Sequence, residues 1–308
     1  MPRPPGGRYL VRRPAVPAVD AVVKGIVRLG EGDDNVRTRI GVVTPTLNAD
    51  RYLDRTLASV WSQDGDLIEI DHLIVDGGST DETLAVAARY PCRTIVASDG
   101  GMYEAVNRGM RDVRGDVVGY INADDEIAPG ALGLVADAFR AHTEAQWLCG
   151  RLEYMDGDDR LLGAWTPVSL SVRSYLGIGW SCIPQQTVWA RRSFFDRVGP
   201  FDTRYRNCGD YEWYVRALKL SSPLILPRTL GRFRLHESNL SYDEEAMARE
   251  SRMVQEEHGG RTLASFLAGK LLSLRLNARN PAWLLAKKTG KITFTPRHRP
   301  APDREPPP

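Results

Sequence analysis

The chain has 308 residues, 42% hydrophobic and 26% charged, with a formal net charge of +2. This is the composition of a soluble globular protein of one large domain or two small ones, and the charge is too small to argue for a nucleic-acid partner. No run of about 18 apolar residues marks a membrane-spanning helix, and Cys92, Cys149, Cys182 and Cys208 form no CxxC pair that would suggest a zinc or redox site.

Residues 1–38 are rich in Pro, Gly and Arg and read as a tail with one short apolar patch from Val16 to Leu29. Met1 to Pro5 lacks the apolar stretch of a signal peptide and the cysteines read as reduced and mostly buried, so a cytoplasmic protein is expected. Order is expected from Arg39. Ile40 to Thr44 reads as a buried strand and Arg51 to Ser62 as a helix. A second strand, His72 to Asp76, leads through Gly77 and Gly78 to a helix over Asp81 to Arg89, with Ser79 or Thr80 as its cap. A strand from Arg93 to Ala97 precedes a helix from Met102 to Arg111. A fourth strand, Val117 to Ile121, precedes a helix from Pro129 to Ala141. Strands alternating with helices predict a parallel sheet, and ligands of such sheets bind beyond the carboxyl ends of the strands. Each strand here ends in a polar cluster: Thr44 to Thr46, Asp76 to Gly78, Ser98 to Gly101, and Asn122 to Asp125.

After residue 145 the rhythm changes. Gln146 to Tyr154 and Leu161 to Trp165 read as strands around an Asp156-Gly157 turn, Arg191 to Val198 and Gly209 to Lys219 as helices, and Leu224 to Leu226 and Gly231 to Leu235 as strands. From Asp243 the chain is helical, then Pro-rich.

The clustered acids Asp124 and Asp125 repel one another and invite a hard cation such as Mg²⁺ or Mn²⁺, which shares its coordination with substrate phosphates. The same pair equally suits a solvated cap before the Pro129 helix. Asp76 and Asp99 suit either a ribose or base, or ordinary Asp-Gly turns. No GxGxxG lies between a strand and a helix, which argues against a dehydrogenase.

Taken in order, Thr44-Pro-Thr-Leu-Asn48, Asp76-Gly-Gly-Ser-Thr-Asp81, Ser98 to Tyr103 leading to Asn107-Arg-Gly109, and Asn122-Ala-Asp-Asp125 strongly resemble the nucleotide-sugar-binding half of family 2 glycosyltransferases. The resemblance implies the GT-A fold: an α/β, Rossmann-like and mostly parallel sheet with helices on both faces, here with a C-terminal helical extension. It covers residues 39–240, divided into a nucleotide-sugar half at 39–127 and an acceptor half at 128–240. The helical extension is set at 241–292 and a second tail at 293–308. The resemblance implies donor contacts from Thr44, Pro45, Thr46, Asn48, Asp76, Asp99, Gly100, Gly101, Asn107, Asn122 and Ala123. It implies a divalent cation, Mn²⁺ or Mg²⁺, on Asp124 in a motif that begins with Asn122 rather than Asp. Gln185, Gln186, Glu212 and Trp213 fall on the acceptor side. Asp210 matches the family's general base, with Gly209 in place of the usual Glu. On its residues alone Asp210 reads as a helix N-cap. His236 reads either as a metal or diphosphate contact or as an ordinary surface histidine.

The resulting expectation is an inverting, non-processive hexosyltransferase. It would move a sugar from a nucleoside diphosphate, with uridine the commonest base in the family, to a saccharide or lipid-linked saccharide in cell-surface polysaccharide synthesis. One carboxylate would take the acceptor proton, and metal would hold the leaving diphosphate. A nucleotide-sugar-binding protein without catalysis and a nucleotidyltransferase are the alternatives. The second would need a Gly-rich cationic loop where Pro45 to Asn48 stands. No acid lies between Arg261 and Lys291, so this basic stretch suits either the inner face of the plasma membrane or a helix packed on the domain.

Overall fold

The computed structural model describes residues 37–63, 65, 67–98, 100–239 and 243–292. The tail expected at 1–38, but for its last two residues, and that at 293–308 lie outside this set, as does Asp99.

The expected alternation is present. β1 (Thr38–Thr46), β2 (Ile68–Asp76), β3 (Arg93–Val96) and β4 (Val117–Tyr120) alternate with α1 (Asp50–Trp61), α2 (Thr83–Ala87) and α3 (Met102–Asp112). These strands pair in parallel in the order β3-β2-β1-β4. Side chains of a strand alternate between faces, and both faces here are covered, which explains the unbroken apolar runs. Val43, Leu73 and Val75 pack with Val106 and Met110 of α3. Ile40, Val42 and Ile70 pack on the opposite face with Leu132, Val135 and Phe139 of α4 (Ala131–Ala141).

Two local expectations are corrected. The second helix is only Thr83–Ala87, and neither Ser79 nor Thr80 caps it. Ser79 is instead bonded to Asp76, while Asp81 Oδ1 receives Thr83 N–H at 3.0 Å. The two short strands expected at 224–226 and 231–235 form one, as shown below.

Beyond β4 the sheet is mixed. After the short β5 (Glu126–Ile127) come β6 (Trp147–Asp156), β7 (Leu161–Trp165), α5 (Val172–Ile178), β8 (Trp189–Arg191), α6 (Arg192–Val198), α7 (Gly209–Leu220) and β9 (Leu224–Leu235). β8 joins the halves by pairing antiparallel with both β4 and β6. β9 runs parallel to β6 and antiparallel to β5. Its partner register jumps from Gly150↔Leu226 to Arg151↔Thr229, so Pro227 and Arg228 bulge out of the ladder. A bulge is where a strand tolerates a proline, because no ladder hydrogen bond is demanded there.

α8 (Glu244–Glu257), α9 (Leu263–Arg279) and α10 (Pro281–Lys288) complete the chain. α9 lies so close to α5 that a Cβ built on Gly177 would stand 1.7 Å from the Ser265 carbonyl oxygen. The four cysteines are free, and burial pushes the Cys149 and Cys208 thiols up to about 12.

Candidate active site

The strand ends meet as the sheet register requires. Thr46 is level with Asp76, and Asp76 with Val96. Asp76 is fully buried, yet its carboxylate is saturated: Oδ1 accepts from Gly78 N–H at 3.0 Å and Ser79 N–H at 2.8 Å, and Oδ2 from Thr46 Oγ1 at 2.8 Å and Ser79 Oγ at 2.6 Å. A carboxylate offers about four lone-pair directions, so none is left over. Burial works to raise its pKa, but the bonds from Ser79, Thr46 and Gly78 outweigh it and hold the carboxyl below its ordinary value. Asn48, at φ +48°, braces the same turn: its Oδ1 accepts from Thr80 N–H and its own N–H bonds Ser79 Oγ. Thr44 is buried, with Oγ1 2.9 Å from His72 Nε2, and burial lowers the His72 pKa to about 3. Pro45 is buried; Gly100 and Gly101 are exposed.

The acidic loop after β4 is held on three sides. Thr56 Oγ1 of α1 donates to the Ala123 and Asp125 carbonyls. Asp125 is fully buried and accepts from Gln186 Nε2 at 2.8 Å and Arg234 N–H at 3.0 Å. Burial, and then the charge of Asp124, raise its pKa well above the carboxylate range. The Arg234 guanidinium is wholly buried behind the loop. It donates to the Asp124 carbonyl at 3.0 Å and Glu126 Oε1 at 2.6 Å, pairs with Asp159, and lies 4.7 Å from the Tyr52 ring centre. Five donors in a rigid fork suit Arg to such a hub. Two residues on, His236 Nε2 stands 2.9 Å from Asp124 Oδ2. The Asn122 side-chain oxygen is buried and has no hydrogen-bond partner.

Among the described residues no three His, Cys, Asp or Glu side chains converge on one point. Asp124 and His236 nonetheless offer one carboxylate and one imidazole, ligands that suit Mn²⁺ when diphosphate oxygens and water complete the shell.

Asp210 stands in the first turn of α7. Its Oδ1 accepts from Tyr211 N–H at 2.7 Å and from Tyr103 Oη at 3.3 Å, and Tyr103 Oη accepts from Asp210 N–H at 3.1 Å. Burial raises its pKa to about 6 despite these bonds. Tyr103 also explains the glycine before it: a Cβ at Gly209 would meet the Tyr103 ring at 2.7 Å. The loop leading into α7 hangs from α8, where Glu250 accepts from the N–H groups of Arg206, Asn207 and Cys208 at 3.2, 2.8 and 2.9 Å. The helical extension therefore builds the Asp210 end of the site. Tyr120, the last residue of β4, has its pKa raised by burial first, then by the charge of Asp210, with a smaller contribution from Asp125.

Three residues expected to contact substrate have their side chains engaged within the protein. Asn107 is clamped to the backbone of Phe201, donating to its carbonyl and accepting its N–H, both at 2.8 Å. Glu212 is buried in an ion pair with Arg216 and touches His258. Trp213 lies in the aromatic core, its indole N–H on the Gly199 carbonyl. Of the glutamines, Gln186 holds Asp125, and Gln185 donates to the Tyr120 carbonyl at 2.7 Å. Tyr52, Arg234 and Glu250 were not singled out from the sequence, and Tyr103 stood there only as the end of a motif. Arg234 left a signal, two residues before His236.

The profile of the family described as Glycosyl transferase family 2 matches residues 41–199. A PGL/p-HBAD biosynthesis glycosyltransferase of Mycobacterium bovis is 29% identical over 194 residues, covering 61% of this chain and 72% of that protein. An uncharacterized glycosyltransferase of Mycobacterium tuberculosis is 27% identical over 203 residues, covering 63% and 74%. Among solved structures, S. aureus TarS in complex with UDP-GlcNAc is similar at a TM-score of 0.55 and 18% identity, over 84% of this chain and 82% of that one. Glucosyl-3-phosphoglycerate synthase from Mycobacterium tuberculosis, in complex with Mn²⁺, UDP and glucosyl-3-phosphoglycerate, is similar at 0.53 and 18%, over 72% and 80%.

Proposed function

This chain belongs to glycosyl transferase family 2, and from that premise we propose that it is an inverting, non-processive transferase. It takes a sugar from a nucleoside diphosphate, UDP first among the candidates, to a hydroxyl of a saccharide or lipid-linked saccharide used in cell-surface polysaccharide synthesis. Asp210 carries the reading. It is a carboxylate whose pKa burial raises to about 6 against the bonds from Tyr211, Tyr103 and Ser181. Such a group is mostly ionised at neutral pH and basic enough to take the acceptor's proton as that oxygen attacks the anomeric carbon.

On this reading Asp124 and His236 would hold a divalent cation, and the chemistry it would supply there is charge neutralisation at the leaving diphosphate. Arg234 and Thr56 fix the loop that carries Asp124. The turn braced by Asp76, Thr46 and Asn48 gives the nucleoside a rigid seat, with Thr44 and Pro45 beneath it and Gly100 and Gly101 open beside it. Asp99, outside the described residues, remains assigned to the donor through the family motif. UDP is supported by the nucleotides held in the two solved relatives, and the metal by the Mn²⁺ in one of them. No described helix is long and apolar enough to cross a membrane, and a lipid-linked acceptor would be met from the membrane surface.

A binding protein without catalysis drew on Asn122 and Gly209 as departures from an acidic pattern. The ring of Tyr103 accounts for Gly209 by packing alone, which leaves Asn122.

The experiment is a thermal-shift screen of nucleoside diphosphates with and without Mn²⁺, followed by turnover of the UDP-sugar donors. UDP should stabilise only with Mn²⁺, and Asp124→Ala should abolish that shift. Wild-type turnover by both Asp124→Ala and Asp210→Asn would overturn the roles; tight binding with no turnover on any acceptor would favour the binder.

A further inference from the structure

α9 is apolar on two sides. Ser265, Gly269, Leu272 and Leu276 face the protein, and Gly269 packs directly on the backbone of α5. A helix that is apolar all round is normally covered all round. Here Leu263, Phe266, Leu267, Leu271 and Leu274 are 52 to 74% exposed, and Leu285 of α10 is 63% exposed. At 100° per residue Leu263, Leu267, Leu271 and Leu274 fall on one stripe, because their spacings of four and three return to the same face, and Phe266 borders it. Lys270 lies within the stripe, and Arg275 and Arg279 follow along its edge. None of these three has an ion-pair partner among the described residues.

Charge decides what covers this face. Residues 261–302 contain no Asp or Glu, while Arg261, Lys270, Arg275, Arg279, Lys287, Lys288 and Lys291 all lie on or beside α9 and α10. A second copy would bring the same cations against themselves. The apolar segment Val16 to Leu29 offers one acid, Asp20, against Lys24 and Arg28. A surface that is apolar within and anionic at its boundary satisfies both the leucines and the cations. A pocket of about 380 Å³ opens at the stripe's edge, lined by Leu271, Arg275, Ser169, Ser171, Ser174 and Ser222. The Ser171 and Ser174 hydroxyls are engaged in capping α5, but the Ser169 and Ser222 hydroxyls and a guanidinium with no ion-pair partner suit a phosphate.

We propose that the exposed face of α9 and α10 is a docking surface for an anionic phospholipid bilayer, with the Arg275 pocket taking a lipid phosphate. The leucines enter the headgroup boundary and the cations lie along it. The proposal does not depend on the transfer chemistry, since no residue of this face belongs to the site built around Asp124 and Asp210.

The test is co-sedimentation of the full-length protein with vesicles of phosphatidylcholine alone or mixed with phosphatidylglycerol. Binding should require phosphatidylglycerol and weaken as salt rises. The double variant Leu267→Glu, Leu271→Glu should bind about 100-fold more weakly, because two side chains lose their burial, while its melting temperature and its donor-induced thermal shift stay at wild type. Arg275→Gln should weaken binding about 5-fold, the share of one surface cation, and narrow the preference for the anionic lipid. No vesicle binding by the wild type would overturn the proposal. So would undiminished binding by the double variant, or a wild-type dimer that the double variant dissolves without any vesicle binding.

Discussion

The carboxylates of Asp76, at the end of β2, and Asp210, at the start of α7, are both withdrawn from water, yet their acidities move in opposite directions. Desolvation acts on both, and the hydrogen-bond shell decides the outcome. Asp76 receives four short donors, whereas Asp210 receives one short donor from Tyr211 and weaker help from Tyr103, at 3.3 Å, and Ser181. A filled shell makes a carboxylate part of the scaffold; an unfilled one leaves it able to accept a proton. Asp76 is thus part of the scaffold, and on the proposed reading Asp210 is the carboxylate left free for proton transfer.

Four substitutions can break or sharpen that contrast. Asp210→Asn should reduce transfer by about 10³-fold, the typical share of a general base. It should also raise the melting temperature at pH 7 by about 2 °C, since an ionised carboxylate in a poorly solvated place costs stability. Turnover assays and calorimetry on the same preparation check both signs, and an Asp210→Asn protein that is less stable would place Asp210 in the scaffold class. Asp76→Ala should do the reverse. It orphans four donors and should lower stability by on the order of 3 kcal/mol in a denaturant melt, with turnover per folded molecule falling far less. Gly209→Ala should cost about 1–3 kcal/mol as the new methyl displaces the Tyr103 ring, read by the same melt. Tyr103→Phe is the mildest: it removes one donor to Asp210, so the acid limb of the transfer profile should move to higher pH and turnover at pH 6 should fall about threefold.

The pH dependences have opposite signs and can be checked together. Asp76 has a lowered folded pKa, so its contribution to stability is present above the ordinary carboxylate value of 3.8 and is lost as pH falls through the folded one. Asp210 has a raised folded pKa, so its contribution is present below 3.8 and is lost as pH rises through about 6. Transfer should increase over that same upper interval as the base ionises. A stability curve measured on wild type and on Asp210→Asn isolates the second term by difference.

The first half of the fold was legible because its signals are local. Apolar runs of strand length and the polar cluster after each are written in consecutive residues, and β1 to β4 fall within a few positions of the reading. In the second half β6, β7, α6 and α7 also fall within two positions of the reading, and what it missed is short or irregular. β5 has two residues, β8 three and α5 seven, and β9 hides its continuity behind the bulged Pro227. The site divides in the same way. Asp124 and Asp210 were legible as motif positions. The groups that set their properties come from far along the chain: Arg234 donates to Asp124 from 110 residues away, Tyr103 meets Asp210 from 107, and Glu250 holds the Cys208 backbone from 42. Nothing local in the sequence says which residue such partners meet. Asn107, Glu212 and Trp213 show the converse, since a motif position does not say whether its side chain turns to the ligand or to the core.

The contact of Gly177 with Gly269 joins two backbones 92 positions apart in the chain. Neither residue has a left-handed φ, so neither is glycine for the sake of its own torsion; each is glycine because the other helix occupies the volume of its missing methyl. The two positions therefore form one heritable unit. A lineage that acquires a side chain at 177 must also move or reshape the helix around 269, and across related sequences the pair should change together or not at all.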